Sequence, residues 1–117
     1  MNDKRKDPRK KIMAFTPVYA LKPKTLLGYM EDLTLRGARV VGDVSIEEDK
    51  LITLSIELPK DTASLPSTPF IVRARVARSH TDEAGFENLG VEFVDVTEEQ
   101  MSILEAVIQR YEFKRAV

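Results

Sequence analysis

The sequence predicts a small all-β domain that ends in one α-helix. Two observations support this prediction: apolar residues alternate with polar ones over several short stretches, and the spacing becomes helical near the end of the chain. At 117 residues the chain is long enough to bury a core and too short for two ordinary domains. Six short predicted strands in this length indicate a small antiparallel barrel or sandwich.

The chain begins with a basic segment. Residues 1–11 carry six Lys or Arg against two Asp, a local charge of +4, which leaves −5 on the rest of the chain. These residues have almost no apolar side chains and their like charges repel, so we predict a flexible arm at 1–11 and a folded domain at 12–117. A solvated terminus without any ligand would have the same composition, so the arm alone identifies no function.

The strands are predicted in chain order from β-branched or aromatic content and from alternation. Stretches at 12–21, 25–32 and 36–42 come first, with imperfect alternation. Clean alternation follows at 51–58, at 70–79 and around 89–93, which predicts strands with one buried and one wet face. Turn-rich pieces such as LPKDTASLPSTP and SHTDEAG separate the later strands.

A helix is predicted at about 97–113. Thr97 and Gln100 have the spacing of a capping box at a helix N-terminus. An apolar stripe then recurs at helical spacing, formed by Met101, Leu104, Val107, Ile108 and Tyr111. This stripe is expected to cover the barrel, because an exposed apolar stripe favours aggregation; a partner protein is the alternative cover.

The composition argues against an enzyme. The chain has no Cys, which excludes disulfides and thiolate metal sites, and its only His, His80, has no triad or metal partners nearby in the sequence. The acidic clusters at 47–49 and 81–83 lack the ligand spacing of a calcium loop, and there is no Walker-type phosphate loop. We therefore predict no catalytic residue, no metal and no cofactor. No apolar run reaches membrane-spanning length, so we expect a cytoplasmic protein without membrane insertion.

Two short motifs remain as candidates for ligand binding. Arg5 and Arg9 form an R-x-x-x-R pair in the arm, where Pro8 disfavours a helix and keeps the two guanidinium groups splayed along an extended segment. The sequence DLTLRG at 32–37 places a carboxylate, a hydroxyl and a glycine at a strand end. Asp32 and Thr34 share strand parity, so both side chains can point to the same side of the sheet.

In this order the two motifs resemble those of the PilZ domain family, bacterial receptor modules for cyclic di-GMP. The resemblance extends to GARVVG after the second motif, to FIVRARVARS, and to LGVEFVDVTEEQMSIL before and into the helix. Thr34 stands where the family usually has Ser. The resemblance implies a six-stranded antiparallel barrel of PilZ type, a basic N-terminal arm and a C-terminal helix.

The resemblance also implies roles for the motif residues. Arg5 and Arg9 would bind phosphate oxygens and guanine edges and stack on the bases. Asp32 would accept hydrogen bonds from guanine N1 and N2, Thr34 would bond to phosphate or base, and Gly37 would leave room for the ligand. Four further residues are weaker candidates: Arg78, expected at the barrel mouth from its inward parity, and the outer contacts Lys6, Arg36 and Arg39.

The predicted function is a non-enzymatic cyclic di-GMP receptor that signals to a protein partner when its arm folds over the nucleotide. Two alternatives stay open. A small barrel could bind nucleic acid through the basic arm alone, although three Tyr and five Phe leave few aromatic residues for base stacking. A PilZ-like adaptor could act through protein contacts without a ligand, although retention of both motifs favours the receptor.

Overall fold

The computed structural model describes residues 10–59 and 69–114. This part of the chain forms eight strands and one helix. In chain order they are β1 (Lys11–Ala14), β2 (Pro17–Ala20), β3 (Thr25–Leu33), β4 (Gly37–Gly42), β5 (Leu51–Ile56), β6 (Phe70–Thr81), β7 (Glu87–Val94), α1 (Glu98–Arg110) and β8 (Tyr111–Lys114).

Six of the strands close into a barrel in the order β2-β3-β4-β7-β6-β5, and every neighbouring pair is antiparallel. This confirms the predicted barrel. The alternating residues point inward as expected: β5 contributes Leu54 and Ile56, and β6 contributes Val72, Ala74 and Val76, all at most 3% exposed. The closed barrel leaves no unpaired edge among its six strands.

The predicted strand at 12–21 is two strands in different sheets. β1 pairs with β8, whereas β2 pairs with β3 and β5 in the barrel. The chain turns between them at Phe15, whose φ of 61° is in the left-handed region. The turn at Phe15 lies within a run of β-branched and aromatic residues, which is why the sequence predicted one continuous strand here.

The helix begins as predicted. The Thr97 hydroxyl accepts a hydrogen bond from the Gln100 backbone N–H at 3.1 Å, and the Gln100 side chain accepts one from the Thr97 N–H at 3.2 Å. Leu104 and Val107 are fully buried in the barrel core, so the apolar stripe covers the barrel. Within residues 10–59 and 69–114, no helix combines the length and apolar character needed to cross a membrane.

The helix ends at Arg110, so the prediction of a helix to about 113 is wrong. Residues 111–114 are β8, in which Tyr111 and Phe113 are buried and Glu112 and Lys114 are exposed. β8 pairs in parallel with β1, Lys11 lying opposite Tyr111. β1 therefore starts inside the predicted arm of 1–11, because its pairing with β8 already orders Lys11.

Candidate functional site

The turn between β3 and β4 is built by Thr34. Its hydroxyl accepts hydrogen bonds from the backbone N–H groups of Arg36 and Gly37, both at 3.1 Å, and donates to the Gly37 carbonyl at 3.3 Å. The Thr34 N–H also donates to that carbonyl, at 2.8 Å. The hydroxyl that the sequence assigned to a ligand is therefore engaged in holding the turn, as Ser and Thr commonly do.

Gly37 cannot carry a side chain, because the neighbouring strand β7 packs against it. It opens β4 opposite Glu92 on β7, and a Cβ added to it would collide with the backbone carbonyl oxygen of Val91. The space that Gly37 leaves is filled by β7, so its lack of a side chain is explained by strand packing, and its role in leaving room for a ligand stays a prediction. Thr34 and Gly37 thus shape the strand end on which Asp32 sits.

A β-bulge in β3 turns Asp32 outward. Met30 pairs with Val40 and Asp32 pairs with Arg39, so Glu31 is the extra residue on β3. Without the bulge, Asp32 would share the inward parity of Met30, which is fully buried. Asp32 is instead exposed on the outer face of the barrel, and its carboxylate makes no hydrogen bond or ion pair with the described part of the chain.

A second bulge, in β6, turns Arg78 outward. Val76 pairs with Val91 and Arg78 pairs with Gly90, so Ala77 is the extra residue. Val76 is buried and Arg78 is exposed. The expectation that Arg78 continues the inward parity to the barrel mouth is therefore wrong, because one inserted residue reverses the face of everything after it.

The two bulges align a row of residues on the outer face of four adjacent strands. Asp32 pairs with Arg39, Arg39 with Gly90 and Gly90 with Arg78. Since neighbouring strands are about 4.8 Å apart, the backbones of Arg39 and Arg78 lie about 10 Å apart, with Gly90 between them. This row, Asp32–Arg39–Gly90–Arg78, is called the outer row below.

Gly90 is the member of the outer row that the sequence did not single out. It has no side chain to fill the space between two exposed arginines, and an added Cβ would make only an ordinary contact, 3.6 Å from the Arg78 Cβ. Unlike Gly37, it is therefore not demanded by backbone packing. A glycine inside a regular apolar alternation, as in NLGVEF, was the available signal.

A shallow depression of about 250 Å³ lies beside the outer row. It brings together the predicted residues Asp32, Thr34, Arg36, Gly37 and Arg39, with Glu92 at its border. The Arg39 guanidinium lies 3.3 Å from the Glu31 carboxylate; the Arg39 side chain is exposed and that of Glu31 is half-buried. Arg36, at the tip of the turn, is exposed.

The acidic side chain at the border of the depression is paired with an arginine. The Glu92 carboxylate accepts a hydrogen bond from Arg75 at 2.7 Å, and Arg75 also binds Asp49 at 2.6 Å. The hydrogen bond and the charge of Glu92 raise the pKa of Arg75 above its ordinary value, with a smaller contribution from Asp49. Arg75 therefore offsets part of the negative charge that Glu92 presents at the depression, although it also binds Asp49.

The arm residues Arg5, Lys6 and Arg9 lie outside the described residues, and their contribution stays a prediction. A larger depression, of about 470 Å³, lies at the other end of β3, beside Thr25, and includes none of the predicted site residues. Among the described residues there is no group of three or more His, Asp or Glu placed to hold a metal ion.

Comparison with known proteins agrees with the fold. A family model described as PilZ domain matches residues 3–111. Among solved structures, the inhibitor of motility MotI/DgrA of Bacillus subtilis is similar, with a TM-score of 0.65 and 18% identity over 92% of this chain. The chain spans 51% of the length of MotI/DgrA, and at this identity the likeness concerns the fold. No curated protein matches the chain.

The family match covers nearly the whole chain, including the R-x-x-x-R pair and the D-x-T-x-x-G turn. The fold agrees independently, since the closed six-stranded barrel, the turn between β3 and β4 and the C-terminal helix all occur in the order expected for this family. The chain therefore belongs to the PilZ domain family.

Proposed function

We propose that this chain is a non-enzymatic, cytoplasmic receptor for cyclic di-GMP. Members of the PilZ family are generally non-enzymatic receptors. The nucleotide binds between the arm residues Arg5 and Arg9 and the outer face of the barrel around Asp32. Ordering of the arm over the nucleotide changes the surface that the protein offers to a partner protein.

One observation carries the proposal: the β3 bulge presents the Asp32 carboxylate on the outer row beside Arg39, exposed and without a partner among the described residues. Cyclic di-GMP has two guanines, whose N1 and N2 hydrogens are donors for a carboxylate, and two phosphates that suit guanidinium groups. An exposed acid next to exposed arginines matches a ligand that carries donors and anionic groups close together.

The other members of the site divide into contact and shaping residues. Arg39 and Arg78 flank Gly90, so a planar base or a phosphate can rest on the bare backbone of Gly90 with a guanidinium on either side. Thr34 and Gly37 act through the turn, by holding the end of β3 where Asp32 lies. Arg36 and Lys6 are outer contacts, whose loss weakens binding less.

The proposal is tested by calorimetric titration of the full chain with cyclic di-GMP. We expect a dissociation constant between nanomolar and micromolar, and a loss of about 2–4 kcal/mol of binding free energy for Arg9→Ala, because charge-assisted hydrogen bonds are removed. Arg5→Ala and Asp32→Ala should behave alike, and Arg78→Ala should weaken binding to a smaller degree.

Two variants serve as matched controls. Asp43→Ala removes an exposed carboxylate just after β4, at the end of the strand away from the turn, and Arg73→Ala removes an exposed arginine from the outer face of β6. Both should bind as the wild type does. Absence of heat or chemical-shift change for the wild type at high micromolar nucleotide would contradict the receptor function.

Nucleotide selectivity separates the receptor from a nucleic-acid-binding barrel. Adenine has an acceptor at N1, where Asp32 needs a donor, so cyclic di-AMP should bind at least about 100-fold more weakly than cyclic di-GMP. A protein that reads only phosphates would not distinguish them. Equal affinity for the two dinucleotides, or tighter binding to duplex DNA with a steep salt dependence, would favour the nucleic-acid alternative.

A further inference from the structure

The Tyr111 hydroxyl is a buried polar group that has no partner among residues 10–59 and 69–114. Tyr111 is the first residue of β8 and is 3% exposed, yet its hydroxyl oxygen makes no hydrogen bond with this described part of the chain. Buried hydroxyl groups are nearly always hydrogen-bonded, because burial without a partner forfeits their hydration. A phenylalanine would fill the same space beside Phe113 without this cost. The presence of the hydroxyl therefore calls for a reason other than packing.

Tyr111 lines a cavity that adjoins the proposed nucleotide site. The cavity, of about 400 Å³, lies between the end of β3 and β8, and its polar lining consists of Lys10, Glu31, Asp32, Tyr111 and Glu112. Asp32 also lines the depression beside the outer row, so this residue borders both the cavity and the depression. Asp32 and Tyr111 thus line one cavity next to the proposed nucleotide site.

We propose that the Tyr111 hydroxyl is a ligand-binding group that reads guanine together with Asp32. This inference rests on the proposed function. The Watson–Crick edge of guanine carries the N2 and N1 donors followed by the O6 acceptor. A carboxylate satisfies the two donors and leaves O6 in need of a donor, which a tyrosine hydroxyl supplies. Adenine has an amino group in place of O6 and a bare N1, so the same pair disfavours it.

Engagement of the hydroxyl requires a small opening, since in the structure it is closed to water. The side chains of Lys10 and Glu112 border the same cavity and are both exposed, so neither is held by packing. Tyr111 also lies opposite Lys11 in the β1–β8 pair. Its contact with the nucleotide would consequently connect the site to the strand that continues directly from the arm.

The test uses Tyr111→Phe in the full chain, followed by calorimetric titration with cyclic di-GMP and by thermal unfolding without ligand. We expect affinity to fall about 5–10-fold, as for loss of one hydrogen bond, while the melting temperature stays the same or rises. Tyr19→Phe is the control: it makes the same chemical change on β2, where Tyr19 pairs with Leu26 near the start of β3. It should bind normally.

The outcomes separate this inference from the proposed function. Wild-type protein that fails to bind cyclic di-GMP refutes both. Normal wild-type binding with unchanged affinity of Tyr111→Phe refutes the role of Tyr111 alone. A lower melting temperature for Tyr111→Phe also refutes it, because the hydroxyl would then have a structural partner. Weaker binding at equal or greater stability supports it, since a packing residue would not show that combination.

Discussion

At the scale of single residues, two glycines on neighbouring strands serve different purposes. Gly37 has no side chain because the Val91 carbonyl occupies that space, whereas Gly90 faces an open surface between Arg39 and Arg78. Gly37→Ala should therefore lower the free energy of unfolding by about 1–3 kcal/mol, as forced overpacking does. Gly90→Ala should leave stability unchanged or slightly raised, since glycine weakens a strand interior.

For cyclic di-GMP affinity we expect the opposite order to that for stability, with Gly90→Ala the more harmful of the two variants. Gly90→Ala adds a methyl group where we place the base or phosphate, so cyclic di-GMP affinity should fall several-fold although the protein folds normally. Thermal unfolding and titration of the same samples measure both effects. A Gly90→Ala protein with wild-type affinity would show that the ligand does not lie over the outer row, and a fully stable Gly37→Ala protein would contradict the packing assigned to β4 and β7.

At the scale of elements, the helix α1 packs against the barrel and contributes to its core. Its capping box holds the first turn, and the Gln100 side chain donates to the Ile71 carbonyl at 2.7 Å, which ties the helix start to β6. Thr97→Ala should lower the free energy of unfolding by about 1 kcal/mol, as for loss of an N-cap, without changing cyclic di-GMP affinity.

Thr81→Ala provides the comparison for the helix cap. Thr81→Ala also removes one exposed hydrogen bond, from the Thr81 hydroxyl to the Glu87 carboxylate at 2.8 Å, but Thr81 caps no helix. Its effect on unfolding should stay within about 0.5 kcal/mol, as for most surface substitutions. Equal effects of the two Thr→Ala changes in urea or thermal unfolding would mean that the cap does not stabilise α1 beyond an ordinary surface contact.

At the scale of the whole molecule, the boundary between arm and fold lies close to Lys11, where β1 begins. Deleting residues 1–9 removes Arg5 and Arg9 but stops before β1, so it should abolish nucleotide binding and leave the melting temperature nearly unchanged. Deleting residues 1–14 also removes β1 and uncovers β8 with its buried Tyr111 and Phe113, so the melting temperature should fall clearly.

Amide hydrogen exchange examines the same boundary in the intact chain. Residues 4–10 should exchange fast without ligand and slow markedly with saturating cyclic di-GMP, because the phosphates neutralise their charge and guanine faces offer them stacking surfaces. β5, a barrel strand, should change little. Slow exchange at 4–10 in the ligand-free protein, or loss of folding on deletion of 1–9, would make the arm a structural element and refute signalling by arm ordering.

The sequence by itself determined the barrel strands, the helix start and the position of the D-x-T-x-x-G residues at a strand end, because these depend on patterns within a few residues. Alternation identified β5, β6 and β7, the capping box identified the start of α1, and D-x-T-x-x-G placed Asp32, Thr34 and Gly37 at one strand end. Each pattern reflects a local cause: side chains alternate along a strand, and the first turn of a helix leaves donors to be capped.

Only the tertiary structure decided which way these residues face and which contacts they make within the fold. A bulge at Glu31 and another at Ala77 each shift a strand by one residue, which puts Asp32 and Arg78 on the outer face, and nothing in the local sequence marks an inserted residue. The β1–β8 pair likewise has no mark in the local sequence, because it joins segments near the two ends of the chain. It places residues 111–114 in a strand, so the helix ends before the predicted residue 113. Such pairings depend on residues that are distant in the sequence, and these come together only when the whole chain folds.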